Sequence, residues 1–249
     1  MLRIGPSIPI GVRRTGLGLT AAFIILTTAA LASATVYSAP WANPQSSNSG
    51  YKACSGSNTF TDFSPDTSNG VFTGYDEAKS TASAGCTSNT AEKNIFGNLT
   101  PSSAFTAGSS TCTSCTVSYN FTFMDVEYAG CSGGGGNATA TVWSTFTWHD
   151  NSANVQGPTY EAQIWSVPIS CPSGGNTLEV YNCLYWDQSV LVSFTSGHQY
   201  TITVGLYARA YTNPAYDYQA TAYIDLQSSD SNCRFGTSNF AELNSISIT

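Results

Sequence analysis

The residues best equipped for recognition chemistry lie on one alternating run. Between Gln199 and Tyr211, the positions Tyr200, Ile202, Val204, Leu206, Ala208 and Ala210 alternate with Thr201, Thr203, Gly205, Tyr207, Arg209 and Tyr211. Successive side chains of a strand point to opposite faces, so the mostly aliphatic set predicts a core face and leaves Tyr207, Arg209 and Tyr211 outward. The same parity places Tyr223 outward on the following strand and Trp143 outward on the run from Ala138 to Trp148. Phenol, indole and guanidinium groups join flat apolar surface to hydrogen-bond donors, a combination that grips a sugar ring or a protein partner. Tyr207, Arg209, Tyr211, Tyr223 and Trp143 are therefore the candidate ligand-binding residues. Tyr and Thr also suit any half-exposed strand, which is the plainer reading of the same pattern.

Residues that could do bond-breaking chemistry are fewer. Asp125 and Glu127 stand two apart, so a regular strand would show both carboxylates on one face, as an acid/base pair requires. Val117, Tyr119, Phe121 and Phe123 share one parity, however, and Met124, Val126 and Tyr128 the other. That slip predicts a bulge, and the acidic pair reads as an exposed strand face. His149 and Asp150, with Glu161 or His198, could orient a base, but no nucleophile motif accompanies them. No catalytic residue is assigned. Asp62, Asp66 and Asn69 lie in TDFSPDTSNG, a segment without the ligand spacing of an EF-hand. It reads as Asx-turn chemistry, with structural calcium the single cofactor kept as a candidate.

Export is the clearest message of the chain. Arg3, Arg13 and Arg14 are the only charged residues before an uncharged apolar run, Leu17 to Ala34. Ala32-Ser33-Ala34 supplies the small residues a signal peptidase reads, so residues 1–34 are expected to be a cleaved signal peptide. Cysteine usage agrees. Cys54, Cys86, Cys112, Cys115, Cys131, Cys171, Cys183 and Cys233 all follow the signal and are expected to pair as disulfides in an oxidising compartment. Cys112 and Cys115 form a C-x-x-C, but no second close pair or histidine cluster completes a zinc site. Asn98, Asn120 and Asn137 each begin an N-x-Thr triplet, candidate glycosylation sites in an exported protein.

The signal carries three of the eight basic residues and none of the fifteen acidic ones. The exported part is therefore five against fifteen, a net charge of −10. That sign repels phosphate backbones and anionic lipid, which argues against nucleic acid and membrane surfaces as partners; no membrane span is expected after cleavage. Residues 35–57, rich in Ser, Asn and Gly, read as a flexible lead-in, and residues 58–249 as a single domain. Between Asn58 and Thr111 short strand-like pieces, NTFTDF and GVFTGY, and a polar stretch from Asp76 to Ala84 that reads as one or two helical turns are set in a segment that is mostly loop. Beyond it, alternating Val, Thr, Tyr and Phe predict strands almost throughout, with Ser189–Phe194 and Gln199–Tyr211 forming a hairpin through Thr-Ser-Gly-His. The fold class expected is an all-β, two-layer antiparallel β-sandwich, jelly-roll or immunoglobulin-like and stapled by disulfides.

A secreted or cell-surface protein with a binding or structural role follows from these features, with carbohydrate or another cell-surface protein as partner. The alternatives are a secreted hydrolase of extracellular polymers and a self-assembling envelope or filament subunit whose edge strand accepts a neighbour. N-terminal sequencing of the exported protein should return Thr35, or Pro40 if the Ser38-Ala39 site is used instead; intact residues 1–34 would replace the signal with an anchor.

Overall fold

A computed structural model describes residues 34–52, 56–81, 91–108, 111–132, 136–170, 175–214, 219–226 and 239–249. The fourteen strands are β1 (Thr35–Tyr37), β2 (Trp41–Lys52), β3 (Gly56–Pro65), β4 (Val71–Thr81), β5 (Ala91–Pro101), β6 (Phe105–Thr106), β7 (Ser114–Ser132), β8 (Gly136–Asp150), β9 (Val155–Gln156), β10 (Tyr160–Ser170), β11 (Asn176–Ser193), β12 (Gln199–Pro214), β13 (Gln219–Asp225) and β14 (Phe240–Ile248). They form two antiparallel sheets, the two layers of a sandwich. In the first, β3 pairs with β4, β13 and β14 bridge β4 to β7, and β11 closes the far edge. The second runs β10-β8-β12-β5-β2, with β6 and β9 as short additions. The chain changes sheet at most of its connections, as a jelly-roll does. No helix among the described residues is long and apolar enough to cross a membrane.

Inward-facing side chains grade from aromatic to alanine along the strands. At one end Phe63, Phe72, Tyr119, Phe121, Phe146 and Tyr200 are buried. Their rings form a chain across the interior: Phe72 lies 6.0 Å from Phe121, Phe121 6.2 Å from Tyr119, and Tyr119 6.2 Å from Phe146 of the opposite sheet. At the other end the inward residues are Ala78, Ala129, Ala138, Ala140, Ala208, Ala210, Ala220 and Ala222, all fully buried or nearly so. There the sheets approach. Cα atoms of β12 come within 8 Å of β4 and those of β8 within 8 Å of β13, closer than the ~10 Å typical of stacked sheets.

Polar groups cross the narrow end. The Ala210 N–H donates to Asp76 Oδ2 at 3.0 Å, and Ser80 Oγ and Thr212 Oγ1 share a hydrogen bond of 2.7 Å. Buried Lys93 donates to Asn48 Oδ1. Burial pushes the Asp76 carboxyl well above its usual range, against the pull of the Ala210 N–H and the Lys93 charge.

Several sequence expectations change. The lead-in expected over 35–57 contains β1, β2 and the first two residues of β3; β2 pairs with β5 at the sheet edge, where a polar strand is tolerated on both faces, and Trp41 anchors it in the core. Asp76–Thr81, expected as a helical turn, continues β4. The strand-like pieces NTFTDF and GVFTGY lie in β3 and β4, which run longer than expected, and part of the loop expected before Thr111 is β5. The hairpin is absent: β11 pairs with β7, while β12 pairs with β8 and β5 in the other sheet. The turn itself exists, but its Gly197 N–H and His198 C=O bond the backbone of Ala107, so the chain climbs from one sheet to the other. Nor does β7 bulge where its hydrophobic parity slips, since its register with β11 is unbroken from Ser114 to Cys131.

Cys112 and Cys115 form a disulfide, with Cα atoms 5.5 Å apart, at the entry to β7. Cys131 and Cys183 are also disulfide-bonded, far apart along the β7–β11 ladder and so to other partners. Cys54, Cys86, Cys171 and Cys233 lie outside the described residues. β1 starts at Thr35, paired with Ile248, so removal of residues 1–34 leaves it whole and a cut after Ala39 removes it.

Phe121 sits at the centre of the ring chain with no solvent exposure. Phe121→Ala should cost about 3–5 kcal/mol in chemical denaturation, the range for a large side chain lost from a core that cannot collapse.

Candidate functional site

The outer face of the second sheet carries the aromatic stripe. Register sets side chains in rows across strands, because cross-strand partners share a face. One row is Ser47, Phe96, Tyr207, Trp143 and Gln163; the next is Ser49, Asn94, Arg209, Thr141 and Ser166; a third holds Tyr51, Glu92, Tyr211 and Thr139. Trp143 is thus the direct neighbour of Tyr207, with ring centroids 4.9 Å apart. Tyr207 Oη donates to Asn94 Oδ1 at 2.6 Å, Asn94 Nδ2 donates to Glu92 Oε1 at 2.9 Å, and Arg209 donates to Glu92 Oε2 at 2.7 Å while lying over the Tyr211 ring. Burial raises the Tyr207 hydroxyl pKa, so it remains a donor.

On the other side of the Tyr207 row lies Gly205, between Asn98 and Thr145. A Cβ at this position would fall 2.0 Å from Asn98 Oδ1 and 2.3 Å from the Gly97 carbonyl, so only glycine fits. A groove of about 290 Å³ opens at the Tyr207 row, lined by Ser47, Asn48, Ser49, Asn94, Phe96, Glu161 and Tyr207. Trp143 supports the Tyr207 ring from behind, and Asn94 fixes its hydroxyl. The groove therefore offers two aromatic residues, hydroxyls, an amide and a carboxylate on a rigid sheet.

Tyr223 does not belong to this face. The chain changes sheet between β12 and β13, so alternation counted across that connection joins two surfaces on opposite sides of the molecule. Tyr223 stacks on Tyr128 at 4.9 Å and 8°, lies 6.0 Å from Tyr75, and donates to Glu179 Oε1 at 3.0 Å. Neighbouring strands are separated by about the stacking distance of two rings. These rings therefore cover one another's faces.

Sequence reasoning missed Phe96, Asn94, Glu92 and Asn98, which β5 contributes. Their alternation with Ala91, Ile95 and Leu99 was obscured by Lys93, a charge on the inward side.

The remaining candidates resolve separately. Asp125 and Glu127 do share a face, but it is the inner one, and both are buried rather than exposed. Phe123, Val142, Ile164, Leu184 and Trp165 enclose them, leaving no space for even a water-sized ligand. Neither Glu127 oxygen nor Asp125 Oδ1 has a hydrogen-bond partner among the described residues. Burial pushes both carboxyls up, with the charge of Asp125 adding to the effect on Glu127. His198 Nδ1 lies 2.8 Å from Asp150 Oδ2, while Asp150 Oδ1 accepts from the N–H groups of Ser152 and Ala153, a turn-holding arrangement. His149 contacts Asn151, two residues on. Asp66 and Asn69 accept from the N–H groups of Ser68 and Val71 and shape the β3–β4 turn. Among the described residues no three His, Cys, Asp or Glu side chains converge for a metal. Of the sequon asparagines, Asn137 is exposed at the start of β8, Asn120 donates to Ser245, and Asn98 stands opposite Gly205 on β5.

No family model matches the chain, and no curated protein matches it. Solved structures overlap it at low TM-score. The enzymatically active domain of tailspike protein 4 from bacteriophage CBA120 overlaps 74% of this chain at 9% identity and TM-score 0.17, and the chain spans 19% of that protein's length. TmCBM61 in complex with β-1,4-galactotriose overlaps 61% of this chain and 69% of its own, at 13% identity and TM-score 0.15. The family 11 carbohydrate-binding module from Clostridium thermocellum, in complex with a β-1,3-1,4-mixed-linked tetrasaccharide, overlaps 81% of this chain and 89% of its own, at 7% identity and TM-score 0.18. Scores of this size reflect local strand overlap.

The buried acid pair has a consequence for pH. An unfolded chain ionises its carboxyls above about pH 4, whereas the folded protein holds these two protonated to higher pH, so folding takes up protons in between. Their contribution to stability is full below the unfolded pKa and is lost as pH rises through the raised folded values. Asp125→Asn with Glu127→Gln should reduce that loss and raise neutral-pH stability by on the order of 1–3 kcal/mol in urea titrations, with little change in acid. Equal effects at both pH values would show that ionisation is not the cause.

Proposed function

We propose that this protein is an exported carbohydrate-binding β-sandwich whose binding face is the outer surface of the second sheet. The observation that carries the reading is the groove at Tyr207, where Tyr207 and Phe96 line a rigid floor among Ser47, Ser49, Asn94 and Glu161. A pyranose presents apolar C–H patches and a rim of hydroxyls, and this groove offers ring surface with hydroxyl, amide and carboxylate partners. Arg209 is held by Glu92 and Tyr211, which makes it a support for the network behind the groove. Tyr223 is left out of the site. The signal-like pattern of residues 1–34, the formed disulfides and the acidic, weakly charged composition support action outside the cytoplasm. The enclosure of Asp125 and Glu127 favours binding over hydrolysis at that pair.

A glycan-array screen of the exported protein should identify a saccharide, and calorimetry with it then tests the site. Tyr207→Ala should weaken binding by about 1–3 kcal/mol, as expected for an aromatic hot spot. Tyr223→Ala should leave affinity unchanged. The opposite ranking would move the site to the first sheet, and loss of binding in neither variant would remove both faces.

A further inference from the structure

Lys93 is the only buried lysine or arginine among the described residues, and its surroundings are dry. It lies between Ala91 and Ile95 along β5 and opposite Ala210 of β12, all three without solvent exposure. On its other side it stands opposite Gly50 of β2, where a Cβ would fall 3.1 Å from Lys93 Cδ and 2.5 Å from the Glu92 carbonyl oxygen. Glycine there lets the lysine stem lie across the β2 backbone. The amine at its end donates to Oδ1 of Asn48, two residues before Gly50 and so on the same face of β2.

A third group comes to the same place from the other sheet. Asp76 of β4 has no solvent exposure, and its Oδ2 accepts from the N–H of Ala210, the residue directly across from Lys93. Its Oδ1 has no hydrogen-bond partner among the described residues. An amine, a carboxamide and a carboxyl with an unused oxygen are thus gathered in an apolar setting. Burial lowers the Lys93 pKa against the charges of Asp76 and Asp62, and holds Asp76 well above the usual carboxylate range. Both shifts favour passage of a proton from ammonium to carboxylate, which leaves a neutral amine, the nucleophilic form, beside a carboxylic acid.

We propose that Lys93 and Asn48 join covalently through an amide bond between Lys93 Nζ and Asn48 Cγ, with Asp76 as the acid and base of the step. Nζ attacks Cγ and forms the new C–N bond. Asp76 takes one proton from Nζ and returns one to Nδ2, the Cγ–Nδ2 bond breaks, and ammonia leaves. The balance needs no oxidant, reductant or cofactor: amine and carboxamide become secondary amide and ammonia, and Asp76 ends as it began. Asn48 is exposed, so the ammonia departs into solvent. Holding the two reactants in contact on adjacent strands supplies the proximity that such a sluggish reaction requires. The bond removes a buried charge and ties β2 to β5 along a stretch, residues 43–51, whose side chains are all exposed and bury nothing.

The exported protein, its N-terminus sequenced, freed of glycans and fully reduced, should weigh one ammonia less than its sequence. Digestion should yield one branched peptide carrying residues 48 and 93, with no tryptic cleavage after Lys93. Asn48→Ala and Lys93→Met should each return the full mass. Asp76→Asn, whose amide oxygen can still accept from Ala210, should keep the circular dichroism spectrum and the full mass, giving separate peptides. The bond itself is read on the unaltered protein and so does not depend on how any variant folds. A full sequence mass for that protein would overturn the proposal. So would loss of one water with Lys93 joined to Asp62, and a branched peptide that still forms in Asp76→Asn would remove Asp76 from the step.

Discussion

The distance between the two sheets is the constraint on which the molecule depends. Where alanine methyls face one another the backbones approach within 8 Å. Packed interiors leave little room for adjustment, so the volume of the inward side chains sets this local taper. The close approach lets groups of one sheet reach the other's backbone, as Asp76 does at the Ala210 N–H. Such a carboxyl is costly to bury without partners, and hydrogen bonding with the nearby Lys93 charge offsets part of that cost.

The taper also bears on the outer surfaces. Small inward residues free the strands of β12 and β8 from the need to carry bulk on the inside, and the large residues of those segments, Trp143, Tyr207 and Tyr211, face outward. Their ordering comes from neighbours in the same sheet: Trp143 behind Tyr207, Glu92 between Asn94 and Arg209, Arg209 over Tyr211. A face assembled in this way changes little when a ligand arrives, because its rotamers are already fixed.

The all-β class and most long strands were legible because β7, β8, β12 and β14 alternate by size and polarity. Where the sandwich narrows, that signal fails. Beyond Phe72, the inward positions of β4 are Gly74, Asp76, Ala78 and Ser80, which have no apolar bulk, so that part of the strand looks like a turn or short helix in sequence. β2 failed for another reason: an edge strand has little to bury, and its Ser, Asn and Gly residues resemble a linker. Parity within β12 correctly gave Tyr207, Arg209 and Tyr211 one face, yet it could not carry over to Tyr223, because alternation holds no information about which sheet a strand joins. The slip in β7 had a related cause, since Met124 and Val126 face outward between β11 and its neighbours while Asp125 and Glu127 face in.

The pairing of β1 with β14 has a mechanical meaning. Thr35 stands opposite Ile248 in an antiparallel ladder, so residues 35 and 249 leave the domain side by side. A load drawn between those two points would open the β1 ladder one bond at a time, and not shear its bonds together. Thr249 is held separately by two hydrogen bonds to Thr116 of β7, at 2.8 and 3.0 Å. Under tension the first three-residue strand would peel away at low force while the last strand remains clamped in the sheet, so the domain would lengthen by a short tether before its core is loaded.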